Sequence, residues 1–135
     1  MNLGQYQRFK QMMRIRGLNF DWQRINVLRE HNQHETDKHW MCKAMAVKAL
    51  RSPGINHTIF TEFEFPNKAV ADVYDATQNV VIEFESDFSK KKEFVKVLQF
   101  RKYVTDVFVF NVNDLPEHYS QVKKAILYRL GLLRV

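Results

Sequence analysis

Residues 57–85 read HTIFTEFEFPNKAVADVYDATQNVVIEFE, and this stretch decides the fold. From His57 to Phe65, apolar and polar residues alternate with the period of a strand, rich in aromatic and β-branched side chains. Pro66-Asn67-Lys68 is a turn, Ala69–Asp75 a second strand, Ala76-Thr77-Gln78-Asn79 another turn, and Val80–Glu85 a third strand. Turns this short set register. With Phe65 and Ala69 flanking the first turn, antiparallel partners have residue numbers summing to 134; the second turn makes them sum to 155.

That register pairs Glu62 with Asp72 and Asp72 with Glu83, so three carboxylates lie side by side on one face. Glu64 and Glu85 fall in the next row, and the opposite face collects Ile59, Phe63, Ala71, Val73, Ile82 and Phe84 as a core. Opposed side chains stand about 5 Å apart, and like charges there destabilise the sheet. The repulsion is on the order of a few kcal/mol near a surface, and a cation, a raised pKa or a substrate contact offsets it. Carboxylates without cysteine suit a hard ion, Mg²⁺ or Mn²⁺, with Glu62, Asp72 and Glu83 as ligands. The bland alternative makes Glu62 and Glu64 the wet side of an edge strand.

Working outward, Asp37 caps a helix to Leu50 with Trp40, Ala44 and Val47 on one face, stopped by Pro53-Gly54. Residues 90–104 turn helical: Lys92, Lys96, Gln99 and Tyr103 share one face, while Phe94, Val95, Val97 and Leu98 supply the core contact. Residues 105–112, TDVFVFNV, form a strand buried on both faces, and 117–130 a last helix. Residues 3–16 and 21–32 read as two short helices around Gly17, rich in Arg, Lys, Gln and Met, which together make a helical arm that is basic as a whole. The fold class is α/β, a single domain over 1–135 in the order α-β-β-β-α-β-α behind a helical arm.

The chain of 135 residues carries a net charge of +6, all of it in residues 1–53; residues 54–135 balance, and 62–87 hold seven acids against Lys68 alone. A basic protein with a concentrated acidic segment suggests a polyanion partner and a cation site; an ordinary solvated surface is the plain alternative. One cysteine, Cys42, excludes a disulfide framework and is expected as an inert buried thiol. No apolar run reaches the roughly 20 residues of a membrane span, and the N-terminus lacks a signal-peptide core, so a cytoplasmic protein is expected. No glycine-rich phosphate loop or nucleophile elbow is present. His31, His34 and His39 cluster near Glu35, where surface histidines are the expected reading and a His/Glu metal site the sharper one. His57 and His118 have no evident partner, and Trp22 and Trp40 are expected to pack rather than stack on bases.

With these residues in place the chain resembles the PD-(D/E)XK nuclease superfamily, whose shared core runs α-β-β-β-α-β. Asp72 in AVADVYD stands for the acid of the second strand, with alanine where the family name has proline. Glu83-Phe84-Glu85 stands for the acid-x-Lys step, with glutamate in place of lysine. Gln99–Tyr103 is similar to the Q-x-x-x-Y helix of the RecB-type exonuclease branch. In its small size the chain resembles minimal nucleases of archaea and archaeal viruses. The resemblance spans about residues 37–112.

It implies metal-assisted hydrolysis of DNA by a restriction-endonuclease-like fold with a mixed sheet. Asp72 and Glu83 would hold Mg²⁺ (or Mn²⁺), with Glu85 a further ligand or a water-orienting group. Lys96, Lys92 or Lys43 would replace the missing lysine, and Gln99 and Tyr103 would position the backbone or the ligands. Lys43 and Lys92 also join Arg14 and Arg16 as nucleic-acid contacts, with the other arm residues Arg8, Lys10, Arg24 and Arg29 adding sequence-independent phosphate contacts. A homodimer fits the need for two sites to cut two strands, and the arm could equally be a dimerisation element. The rival functions are a silent nucleic-acid-binding or assembly protein on the same fold, and an interaction module with an acidic patch.

Overall fold

In the computed structural model, which describes residues 1–30 and 35–133, the three expected strands are β1 (Ile59–Glu64), β2 (Val70–Asp75) and β3 (Val80–Glu85). They form an antiparallel meander. Ile59 faces Asp75 and Phe63 faces Ala71, while Val73 faces Ile82 and Asp75 faces Val80, so both short turns set the expected register. β4 (Asp106–Asn111) runs parallel to β3, which completes a four-stranded mixed sheet of order β1-β2-β3-β4. The helices are α1 (Leu3–Ile15), α2 (Asp37–Leu50), α3 (Lys90–Phe100) and α4 (Tyr119–Arg129). None of the described helices is long and apolar enough to cross a membrane.

Each sheet face carries a core. On one, α2 and α4 bring Cys42, Ala46, Leu50, Val122 and Ile126 onto Ile59, Val73, Ile82 and Phe84. On the other, Phe9 and Met13 of α1 and Phe100 of α3 pack on Phe60, Tyr74 and Val81. Phe63 and Ala71, expected with Ile59, belong instead to this second core. The cause lies beside them: Glu62 has φ +51°, and the left-handed residue breaks the alternation of the edge strand. The ladder has no Glu62–Asp72 pair.

Three further expectations fail. Where the expected helix over 21–32 is described, through residue 30, it is a single tight turn, Trp22–Arg24, capped by Asp21 and followed by irregular chain. Asn26, at φ +61°, ends it, and residues 26–29 cover the open edge of β1. There Asn26 N–H donates to Ile59 O, Thr61 Oγ1 donates to Val27 O, and Arg29 N–H donates to Thr61 Oγ1. An edge strand left bare would offer its amides to other chains, and this cover removes them. α3 stops at Phe100 rather than 104 and buries Phe100, leaving Phe94, Val95 and Leu98 exposed. Finally, α1 is not a free arm. Its Phe9 and Met13 sit in the core, and half-buried Arg16, expected as a nucleic-acid contact, uses Nη1 to donate to Tyr74 Oη (2.9 Å) and Ala76 O (2.8 Å). The histidines His31 and His34 lie outside the described residues.

Candidate active site

The β2–β3 ladder ends at the pair Val73–Ile82, and the strands part just where Asp72 and Glu83 follow. Each carboxylate crosses the gap to the other strand's backbone. Asp72 N–H donates to Glu83 Oε2 at 2.6 Å, and Phe84 N–H donates to Asp72 Oδ2 at 2.8 Å. Side chains thus replace the backbone bonds that parting strands would leave unmade, which fixes both carboxylates firmly. Glu83 is 2% exposed, and its other oxygen, Oε1, faces Lys96 Nζ from α3 at 3.2 Å.

A third element closes the site. α2 places His39 with Nε2 at 3.3 Å from Asp72 Oδ2 and 3.0 Å from Phe84 O, while Nδ1 meets Glu35 Oε1 at 2.9 Å. Glu35 in turn meets Lys43 Nζ at 2.7 Å, and Lys43 Nζ meets Glu62 Oε1 at 3.0 Å. Charges alternate along the chain Glu62, Lys43, Glu35, His39, Asp72. A cleft of about 310 Å³ opens onto Glu35, His39, Asp72, Glu85, Asp87 and Lys96.

Burial pushes Glu83 well above the ordinary carboxylate range, and the Asp72 charge adds to this against the pull of Lys96. Burial acts on Asp72 in the same sense, but the His39 hydrogen bond and charge, with Phe84 N–H, overcome it and hold Asp72 low. Of the two, Glu83 is therefore the last to give up its proton as the pH rises. Burial alone would lower His39, yet its bonds and charges with Asp72 and Glu35 raise it from 6.5 to about 9. Lys96 is raised too: burial opposes this and the Glu83 charge outweighs it.

His39 consequently contributes stability that is complete below pH 6.5 and lost as the pH climbs through 9. In EDTA, native protein is expected to lose on the order of 1–2 kcal/mol of unfolding free energy across that window once solvent screening is allowed for, and His39→Gln to lose clearly less. Identical pH slopes in urea denaturation of the two proteins would sink the assignment.

Of the expected site residues, the structure brings Asp72, Glu83, Glu85 and Lys96 together. Glu62 is not in their row: the left-handed turn at its own backbone points its carboxylate to Lys43, which corrects its expected place as a metal ligand. Lys43 is 0% exposed, so an expected nucleic-acid contact is instead an internal cation. Gln99 is exposed, its carbonyl accepting from Asn67 Nδ2, and Tyr103 packs on Phe65 with ring centroids 5.4 Å apart. Neither lines the cleft: Gln99 sits on the solvent side of the last turn of α3, and Tyr103 falls after the helix has ended at Phe100. Lys92 pairs with Asp87 on the cleft wall (3.0 Å), and Arg14 is exposed on α1 outside the cleft. Trp22 meets Tyr6 edge-on (4.1 Å) yet stays partly exposed, as does Trp40.

A larger cleft, about 860 Å³, follows the β1 edge. It sets Asp21, Glu30, Glu62 and Glu64 against Arg24 and Arg29, and Arg24 is bridged to Asp21, so it is no phosphate track. The residues missed by sequence reasoning are His39 and Glu35, read as surface. A signal was present: Glu35, His39 and Lys43 recur every fourth residue, one polar line on a helix otherwise apolar at Cys42, Ala44 and Ala46.

The donors can be tested against a divalent ion. Two carboxylates pressed close enough to share a proton, with Glu85 on the cleft wall, offer the hard oxygens that Mg²⁺ prefers. Among the described residues no three His, Cys, Asp or Glu side chains surround one point. Mg²⁺ is commonly held by one or two carboxylates with water and phosphate oxygens, and this pair fits that mode. No family model, curated protein or solved structure matches the chain.

Proposed function

We propose that the chain is a metal-dependent nuclease that hydrolyses phosphodiester bonds, with DNA as its substrate. The observation that carries this reading is the arrival of Lys96 from α3 at Glu83, 3.2 Å away, beside the interlocked Asp72. The resemblance expects a lysine two residues after the second acid, where this chain has Glu85; α3 supplies an ammonium from another direction. The order α2-β1-β2-β3-α3-β4 and the mixed sheet agree with the core that the resemblance implies.

Asp72 and Glu83 would hold the ion, with Glu85 as a further oxygen donor or a guide for water. When bound, Mg²⁺ or Mn²⁺ supplies an activated water and neutralises charge on the phosphate oxygens. The chain's own groups do the rest. Nε2–H of His39 holds the Asp72 carboxylate at a set angle, and Glu35 holds the ring. Lys96 balances the charge that develops on the phosphate. Glu83 must give up its proton before both its oxygens are available, so activity rises with pH across that deprotonation.

The test is incubation of plasmid, linear and single-stranded DNA with Mg²⁺, Mn²⁺ or EDTA, beside Asp72→Asn and Glu83→Gln. Expected is metal-dependent cleavage that falls at least about a hundredfold in either variant while DNA binding persists. Salt-sensitive retardation of the same DNAs without cleavage under any metal would overturn it for the silent binding protein, with Glu85 in the lysine position as the reason.

A further inference from the structure

The outer face of α3 exposes three large apolar side chains within five residues. Phe94, Val95 and Leu98 are 60%, 43% and 40% exposed, on a helix whose inner side is formed by Val97 and Phe100. Lys91, Phe94, Leu98 and Arg101 follow at spacings of three, four and three, so they form one stripe with a cation at each end. No acid lies in it. Glu93, the acid of this helix, turns away toward Arg129 (3.9 Å) and Lys90 (3.7 Å). Among the described residues, Lys91, Arg101 and the adjacent Lys102 form no ion pair. The neighbouring line of the same helix carries Lys92 and Lys96, which reach Asp87 and Glu83 at the cleft.

A second copy of this chain is a poor cover for the stripe. A two-fold pairing of α3 helices would set Lys91, Arg101 and Lys102 of each copy against those of the other, and like charges repel. A polyanion is complementary to it. From Lys91 to Arg101 the stripe spans about 15 Å, the reach of a few nucleotides. In a duplex, base faces are hidden within the stack, so an exposed aromatic between two cations can meet a base only on an unpaired strand.

We infer that the outer face of α3 binds the single-stranded segment of nucleic acid that leaves the cleft, with Lys91 and Arg101 on phosphates and Phe94 stacked on a base. The placement of that strand beside the cleft rests on the nuclease reading; the binding itself does not.

The test is fluorescence anisotropy in EDTA with a labelled single-stranded oligonucleotide and a hairpin duplex of the same composition. Native protein, Phe94→Ala, Phe94→Trp and a Lys91→Glu/Arg101→Glu double variant are compared. Phe94 is mostly exposed, so its replacement leaves both cores intact. Expected is tighter binding of the single strand than of the duplex, weakened about tenfold in Phe94→Ala and kept in Phe94→Trp. The double charge variant weakens both DNAs and flattens the salt dependence. Native affinity in Phe94→Ala, or a preference for the duplex, would overturn the inference. So would Phe94-dependent capture of an acidic amphipathic peptide or of phosphatidylserine vesicles with single-strand binding indifferent to Phe94. Binding as described without cleavage under any metal refutes the nuclease reading alone; Asp72-dependent cleavage with Phe94→Ala unchanged in binding refutes this one alone.

Discussion

Lys43→Met is expected to lower the unfolding free energy by about 3–5 kcal/mol, read as a shift of the urea midpoint at unchanged slope. Lys43 is fully buried on α2, and its ammonium stands 2.7 Å from Glu35 and 3.0 Å from Glu62. Taking an ammonium out of water costs several kcal/mol, which two nearby carboxylates offset. Methionine keeps the volume and removes the charge, so two acids that are themselves mostly buried face each other without the cation between them. A second cost follows at the backbone. Glu62 sits at φ +51°, a conformation disfavoured by on the order of 1–3 kcal/mol for such a residue, and its bond to Lys43 helps hold it there. Adding Glu62→Gln to Lys43→Met should recover part of the loss, because a neutral amide needs no counter-charge. A single Lys43→Met protein within 1 kcal/mol of native, or a double variant weaker than the single, would show that the bridge is incidental.

The largest effect on activity is expected at Lys96. Lys96→Ala should lower kcat on DNA on the order of 10²–10³-fold with KM little changed, since the lost charge acts where negative charge develops in the transition state. Lys96→Arg should retain part of the rate, as it keeps the charge on a bulkier group. Lys96→Ala also removes the cation that opposes proton uptake by Glu83, so Glu83 holds its proton to higher pH and the rise of rate with pH moves upward. Lys92, one turn earlier and paired with the exposed Asp87, serves as a control: Lys92→Ala should leave kcat within a few fold. Equal losses at the two lysines would show that α3 contributes only general positive charge.

Much of the sheet was legible because its signals are local. Alternation marks a strand wherever it occurs, and a turn as short as Pro66–Lys68 or Ala76–Asn79 leaves little freedom in register, so the sums of 134 and 155 hold in the structure. Asp72 and Glu83 were legible for the same reason: they fall opposite each other once the second turn is placed. The helix over 21–32 failed although its composition suits a helix, because a short helix is marginal by itself and residues 26–29 bond to the β1 edge instead, a tertiary contact that composition does not show. The face of α3 failed because Phe94, Val95 and Leu98 form as apolar a side as Val97 and Phe100, and periodicity alone ranks neither.

By itself, then, the sequence determined the strands, their register, the α/β order and the opposition of Asp72 to Glu83, all set by neighbours within a few residues along the chain. Only the tertiary structure decided that the strands part at that opposition, so that the carboxylates bond to backbone amides instead of forming an open acidic row. It also decided that Glu62 turns to Lys43, that His39 belongs to the site, and that Lys96 is the lysine to reach it. Each of these is a choice of partner for a charge that cannot be buried alone. α2, α3 and the sheet supply those partners from positions between 13 (Lys96 to Glu83) and 33 (His39 to Asp72) residues apart, a separation that no local pattern encodes.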